Sequence, residues 1–183
     1  MKRPSKSFEI VLSAIACAVA SAALTAGCYV NVLYAAGLIL AVFSMMVPLS
    51  KDFFWGAALA FIGSALLTFL FYGFSIFKLV PYLLFFGIHP IINRVQLKYV
   101  KKKWIHPLVL LAKAVWFDLA MWLSFELLAV EFFALDETVW FDWVMQYFHY
   151  VLWFGGTAAF VAYDVLIFLC QRSVDLLIKR IRR

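Results

Sequence analysis

The sequence predicts an all-α polytopic membrane protein: a bundle of six transmembrane helices followed by a short amphipathic C-terminal helix. Of the 183 residues, 67% are hydrophobic and only 14% are charged, whereas a soluble domain has about 45–50% apolar and about 25% charged residues. The apolar residues also fall into six runs, each long enough to cross a bilayer as a helix. We therefore expect a single integral membrane domain over residues 1–183, with no room for a soluble domain of ordinary size.

The six predicted helices are joined mostly by short links. Helix two is expected to end at Pro48, and helix four is expected to be irregular, because Pro81, Gly87 and Pro90 lie inside it or at its end and proline removes backbone hydrogen bonds. In the tail, apolar residues at helical spacing alternate with basic ones, which is typical of a helix lying on an anionic membrane surface. The predicted bounds are about 8–27, 29–47, 53–72, 74–92, 107–130 and 147–170, with the amphipathic tail at 171–183.

The distribution of charge predicts the orientation in the cell membrane. With six crossings, the N-terminus, the link at Lys51, the loop at 94–103 and the tail fall on one side, and each of them contains lysine or arginine. The acidic loop at 131–142 falls on the other side. Because lysine and arginine mark the cytoplasmic side, both termini are predicted to be cytoplasmic, and only Lys78 departs from the pattern. The net charge of +6 is thus explained by loops and does not indicate nucleic acid as a partner.

The first predicted helix carries rows of small residues. Alanine recurs every four residues at Ala14, Ala18 and Ala22, beside a second row of small residues: Ser13, Cys17, Ser21 and Thr25. Four-residue spacing keeps such side chains on one face, and small faces let helix backbones approach closely in lipid. The alanine row is therefore either a contact with a neighbouring helix of the same chain or a docking face for a separate subunit.

Ionisable residues inside the predicted spans are the strongest indication of a polar interior. The fifth helix contains Lys113, Asp118 and Glu126, and the sixth contains Asp164. Such groups are costly in hydrocarbon and persist where they face protein or water. Lys113 and Asp164 each lie about six residues, or roughly 9 Å, from the cytoplasmic end of consecutive antiparallel helices. They are expected to pair, either as a salt bridge within the bundle or as the polar floor of a ligand cavity.

A substrate cavity is one interpretation of this region. Trp116 and Trp122 lie inside the fifth helix and Tyr163 precedes Asp164 in the sixth. Together with Lys113 and Asp118 they are candidates to line a pocket for a small molecule, and ordinary packing is the alternative for the aromatic residues.

Nothing in the sequence predicts catalysis, a cofactor or a metal. HExxH, GxSxG, P-loop and GxGxxG patterns do not occur. The histidines, at 89, 106 and 149, have no metal-binding spacing and are interpreted as interfacial. The three cysteines lie in or beside apolar spans and predict neither a disulfide framework nor a metal cluster. The protein is therefore predicted not to be an enzyme.

The combination of six short helices, cytoplasmic termini and an Ala-x-x-x-Ala first helix resembles the substrate-binding S components of energy-coupling-factor (ECF) vitamin transporters. Three further segments are similar to S-component-like small membrane proteins of Gram-positive anaerobes: LLFFGIHPIINR at 83–94, KAVWFD at 113–118 and GGTAAFVAYDVL at 155–166. In the S components, the alanine motif docks a shared transmembrane coupling subunit. The resemblance implies that Ala14, Ala18 and Ala22 would do so here.

The function that this resemblance implies is uptake of a small molecule such as a vitamin. The chain would be the substrate-binding membrane subunit, and partner ATPases would supply the energy. The alternative is a non-catalytic membrane scaffold or assembly partner, since the helix count is also similar to that of the cell-shape scaffold protein of rod-shaped bacteria. A cavity lined by Trp116, Asp118, Trp122 and Tyr163 would favour transport, whereas a filled core with an exposed Ala14 face would favour a scaffold.

Overall fold

The computed structural model describes residues 6–73, 76–102, 104–132, 147 and 150–181. All regular structure within these ranges is helical. Six stretches there are long and apolar enough to cross a membrane: Lys6–Tyr29, Asn31–Leu49, Phe54–Tyr72, Ile76–Tyr99, Ile105–Leu127 and Val151–Ile178. The predicted fold class, an all-α membrane protein with six spans, is confirmed. The acidic part of the loop, with Asp136, Glu137 and Asp142, lies outside the described residues.

The first three spans are built from regular α-helices. They are α1, Lys6–Tyr29; α2, Tyr34–Leu49, preceded by a 3-10 turn at Asn31–Leu33; and α3, Phe54–Tyr72. Helix α2 contains Pro48 and ends at Leu49, one residue after the proline and two residues after the predicted last residue, 47. Helix α3 ends at Gly73, whose backbone has a positive φ of 63° and whose amide N–H donates to the carbonyl of Phe69. Glycine is the usual residue at such a left-handed helix end because it has no Cβ.

The fourth span is irregular, as its prolines and glycine predicted. It consists of a 3-10 turn at Ile76–Leu79, a π-helix at Tyr82–Phe86 and helix α4, His89–Tyr99. Pro81 directly precedes the π-helix, and Pro90 lies in the first turn of α4. In a first turn the missing N–H of proline has no helical acceptor to lose.

The last two spans contain long helices. Helix α5 covers Ile105–Phe132; a second π-helix at Val151–Gly156 leads into α6, Thr157–Ile181. Helix α6 therefore continues without interruption through the boundary that the sequence placed at residue 170. The physical reason is local, because no glycine or proline occurs between Thr157 and Ile181 to end the helix. The proposed tail is thus the continuation of the last membrane span.

The chain divides into two compact units. The first unit comprises Met1–Lys101 with Ile167–Arg183, and the second comprises Lys102–Leu166. The core of the first unit is a cluster of mainly small or flexible side chains from its first four spans: Ala16, Ala20, Leu24, Leu38, Ala41, Met45, Ala60, Ala65 and Tyr82. Small residues at these positions allow the helix backbones to lie close together.

The contact between α1 and α2 shows how close this approach is. A Cβ atom placed on Gly37 would lie 2.5 Å from the carbonyl oxygen of Ala23 and 3.3 Å from the Cα of Gly27. Both are backbone atoms of α1, which no side-chain rotation can move. Glycine at position 37 is therefore a steric requirement of this helix pair.

In the second unit, α5 packs against the segment that begins the last span. The rings of Phe117 and Phe160 stack with centroids 5.2 Å apart. Phe160 is fully buried, and Leu152 of the π-helix is 8% exposed. This packing places α5 beside the junction between the π-helix and α6.

Candidate functional site

A buried ion pair joins α5 to α6. Lys113 Nζ lies 2.5 Å from Asp164 Oδ1, and the two side chains are 4% and 5% exposed. The predicted pairing of these residues is confirmed. A partner of opposite charge offsets part of the cost of removing each group from water. As a pair, the two groups leave no net charge at this level of the unit.

Asp118 lies in a separate polar contact on α5. Its side chain is 4% exposed, and its Oδ2 atom lies 2.9 Å from the hydroxyl oxygen of Thr157. The same hydroxyl lies 2.6 Å from the backbone carbonyl oxygen of Trp153, in the π-helix. The other carboxyl oxygen, Oδ1, is buried and has no hydrogen-bond partner. Asp118 and Lys113 therefore have different partners on the last span.

The aromatic residues proposed to line a cavity are less buried than the ionisable ones. Trp116 and Tyr163 are half-buried, and Trp122 is 41% exposed. Only Lys113, Asp118 and Asp164 of the proposed cavity residues are buried. The structure thus brings together two polar contacts between α5 and the last span, and the lining role of the aromatic residues stays a prediction.

The alanine row of α1 faces outward. Ala14, Ala18 and Ala22 are all exposed, whereas Ala16 and Ala20 of the same helix are 1% and 0% exposed. Of the two interpretations of the row, contact with another helix of this chain is therefore not supported by the described residues. The row is a smooth surface on the outside of the first unit.

The second row of small residues on α1 makes the contact within the chain. A Cβ on Gly63 would lie 2.9 Å from the Sγ of Cys17, and a Cβ on Gly56 would overlap Ser13 Oγ. The hydroxyl oxygen of Thr68 in α3 lies 3.4 Å from the carbonyl oxygen of Ser21, while it donates to the nearer carbonyl of Ser64 at 2.7 Å. The row with Ser13 and Cys17 therefore packs against α3, whereas the alanine row is exposed.

A polar network that the sequence did not predict lies at the end of the first unit. Arg94 donates through Nε to Asp52 and through Nη1 to Asp175, each at 2.8 Å. Gln171, which is 2% exposed, donates to Asp175 at 3.1 Å and to the carbonyl of Met46 at 3.5 Å. The residues come from α4, α6, α2 and the link after α2. They are far apart in sequence, so no local pattern could reveal the network.

A second polar feature was missed although its pattern is visible in the sequence. His89, Asn93 and Gln96 of α4 are 0%, 2% and 5% exposed, and their spacing of i, i+4 and i+7 places them on one face. His89, which the sequence analysis interpreted as interfacial, has a buried ring that packs 4.8 Å from the ring of Phe85. Three polar residues sharing a face in an apolar span were the available signal.

Lys78, the basic residue that departs from the predicted charge pattern, has a structural role. Its ammonium group donates to the carbonyl of Cys28 at 3.1 Å and to Asn31 Oδ1 at 3.0 Å. It also lies 5.4 Å from the centre of the Tyr72 ring. A cation beside the C-terminal carbonyls of α1 is favoured by the helix dipole. These contacts explain the exception to the charge pattern.

The six apolar helices and their buried ionisable groups define the class: this is a multi-pass integral membrane protein. No family model, no curated protein and no solved structure matches the chain. The resemblance to the S components therefore stays a prediction that rests on the sequence.

Proposed function

We propose that this chain is the substrate-binding membrane subunit of an ECF-like uptake transporter for a small molecule such as a vitamin. In this proposal it is not an enzyme and needs no cofactor. It docks a transmembrane coupling subunit through Ala14, Ala18 and Ala22, and partner ATPases supply the energy.

The observation that carries the docking part of the proposal, a part that the scaffold candidate shares, is the exposure of the alanine row. A helix that reserved these residues for its own chain would bury them, as α1 does with Ala16 and Ala20. The exposed row offers a face without bulk to a helix of another protein. In the S components, the corresponding motif is the docking face, so the exposure supports the docking role that the resemblance implies for this row.

The polar contacts of the second unit support a ligand site. Lys113, Asp118 and Asp164 are buried within candidate spans, where ionisable residues usually mark functional positions. A ligand with a polar or charged group could exchange with one of these contacts. Trp116 and Tyr163, both half-buried, are the aromatic residues we assign to the same site.

The second candidate is a membrane scaffold or assembly partner. The core cluster drawn from the first four spans favours it, since those helices pack against each other through Ala16, Ala41 and Ala60. A scaffold would use the same alanine face for docking but would need neither a substrate nor ATPases.

The proposed orientation places both termini in the cytoplasm. Lys51 and Lys101 lie in links that this orientation puts on the cytoplasmic side, and Arg94 and Lys98 lie in the half of α4 nearest that side, in agreement with the bias of cytoplasmic segments toward basic residues. The partner ATPases would act from that side.

Co-purification from native membranes after mild crosslinking tests the two candidates together. The transporter proposal predicts recovery of a coupling membrane protein with ATPases. Recovery of a membrane partner without any ATPase would favour the scaffold. If the protein is recovered without a membrane partner, both proposals are contradicted. The Ala18→Leu variant is the matched bait, because specific partners should be lost from it.

A further inference from the structure

Asp118 lies near the middle of its span and has no counter-charge among the residues that the structure describes. It lies 13 residues after Ile105, which corresponds to roughly 20 Å along the helix axis. Thr157 is its sole hydrogen-bonding partner within the described residues, and Oδ1 has none. The other ionisable side chains described on α5 and on the adjoining part of α6 are His106, Lys113, Glu126, Tyr163 and Asp164, and the ion pair described among them joins Lys113 to Asp164.

The Thr157 hydroxyl has two neighbouring oxygen atoms but only one proton to share with them. Its hydroxyl oxygen lies 2.6 Å from the carbonyl oxygen of Trp153 and 2.9 Å from Oδ2 of Asp118. A hydroxyl group has one proton to donate, and both neighbours would have to accept it if Asp118 were ionised. Threonine in a helix commonly donates to the carbonyl four residues earlier, which here is Trp153. The contact with Asp118 is then a hydrogen bond only if the carboxyl group is the donor.

The surroundings favour the same arrangement. An ionised carboxylate accepts several hydrogen bonds, but Oδ1 of Asp118 has no partner and the side chain is 4% exposed. A buried charge without a counter-ion is far more costly in a membrane span than a neutral carboxylic acid. Asp164 differs, because it has Lys113 at 2.5 Å.

The backbone next to the contact is also unusual. Trp153 belongs to the π-helix Val151–Gly156, which ends where Thr157 begins α6. Single turns of π-helix inside longer helices occur frequently at functional sites. Here the π-helix fixes the position of the Trp153 carbonyl that receives the Thr157 proton.

We propose that Asp118 is an intramembrane proton-binding site. At neutral pH its carboxyl group holds a proton on Oδ2 and donates it to Thr157 Oγ1, while Thr157 donates to the carbonyl of Trp153. The ligand of this site is a proton, which can leave only when the contact opens to water or to another acceptor. The site does not depend on the transporter or scaffold function proposed above.

Infrared spectroscopy of the full-length protein in lipid films tests the proposal directly. A protonated carboxyl group has a carbonyl stretch above the amide I band, and an ionised carboxylate has no absorption there. We expect such a band at neutral pH in the wild-type protein and its loss in Asp118→Asn. Glu126→Gln, which replaces an exposed carboxyl group of the same helix, is the matched control and should retain it. A spectrum in which Asp118→Asn removes no band would overturn the proposal.

The Thr157→Val variant tests the direction of the hydrogen bond. It removes the acceptor of the Asp118 proton, so the carboxyl band should remain but move to higher wavenumber. An unchanged band position would show that Asp118 does not donate to Thr157. Thermal unfolding measured with and without sodium, at constant ionic strength, separates a metal cation from the proton. Stabilisation by sodium that Asp118→Asn abolishes would overturn the proposal in favour of a cation site.

Discussion

Lys113 and Asp164 form a buried ion pair, with Nζ and Oδ1 2.5 Å apart on successive membrane spans. Replacing Lys113 with Met should leave the carboxylate of Asp164 buried without a counter-charge. Breaking such a pair costs about 3–5 kcal/mol in soluble proteins, and we expect a loss of this order in the free energy of unfolding. Thermal unfolding in detergent measures it.

The double variant Lys113→Met with Asp164→Leu is the control for this prediction. It removes both charges and should recover most of the lost stability, because neither group remains unpaired. Lys101→Met, at an exposed position, should have little effect. Losses that simply add in the double variant would show that the two side chains do not stabilise each other.

Arg94 should be essential to the polar network of the first unit. It bonds to Asp52 and Asp175 at 2.8 Å through two different nitrogen atoms, an arrangement that a single ammonium group cannot reproduce. We expect both Arg94→Met and Arg94→Lys to reduce stability, with Arg94→Met losing about 1.5–3 kcal/mol, as for hydrogen bonds to charged groups. The temperature midpoint in detergent is the measurement.

Lys98→Met provides the comparison for Arg94. Lys98 lies 3.5 Å from the same Asp52 but its side chain is 40% exposed, so its loss should cost at most about 1 kcal/mol, as for exposed ion pairs. Equal effects of Arg94→Met and Lys98→Met would contradict the importance assigned to the two-sided contact.

Gly37→Ala should weaken the packing of α2 against α1. The added methyl group would lie 2.5 Å from the carbonyl oxygen of Ala23, and overpacking of this kind typically costs about 1–3 kcal/mol. Gly155→Ala is the matched variant, because its nearest neighbour would be an ordinary 3.9 Å away. If both variants unfold at the wild-type temperature, the close approach of the two helices is wrong.

The orientation can be measured by labelling single cysteines in intact cells. In a protein without Cys17, Cys28 and Cys170, a cysteine at Asp136 should react with a membrane-impermeant reagent and one at Lys102 should not. The expectation follows from the acidic and basic character of the two loops. Labelling of the probe at Lys102 and protection of the one at Asp136 would reverse the topology.

The fold could be predicted almost entirely from the sequence because the controlling property is local. A run of apolar residues long enough to cross a bilayer must satisfy its backbone within one helix, so hydropathy alone indicated the six spans. The irregular fourth span followed from Pro81 and Pro90 in the same way. The end of the last helix did not follow, because a change from apolar to basic residues after Cys170 does not stop a helix that has no glycine or proline.

A polar contact could be predicted only where opposite charge and similar depth in the membrane were enough to identify the two partners. Lys113 and Asp164 are opposite charges at similar depth, which narrowed the choice of partner. Arg94 has two acidic partners, Asp52 and Asp175, that lie 42 and 81 residues away, and nothing in the sequence connects them. The contact of Asp118 with Thr157 depends on the rotation of each residue about its helix axis, which a sequence pattern specifies too coarsely.

The alanine row of α1 could be predicted from the sequence only in part. The four-residue spacing identified Ala14, Ala18 and Ala22 as one face but could not say whether that face is covered. The structure adds that it is exposed, while the neighbouring row packs against α3 through Cys17 and Gly63.

Binding of the native membrane partner by Ala18→Leu tests the docking role of this face most directly. The added bulk lies at an exposed position of α1, so the isolated variant should unfold at the wild-type temperature yet fail to co-purify the partner. Ala36→Leu, at an exposed alanine of α2 outside the row, should change neither the unfolding temperature nor the binding of the partner. The account predicts loss of the partner from Ala18→Leu alone, and retention of the partner at the wild-type level by Ala18→Leu would contradict it.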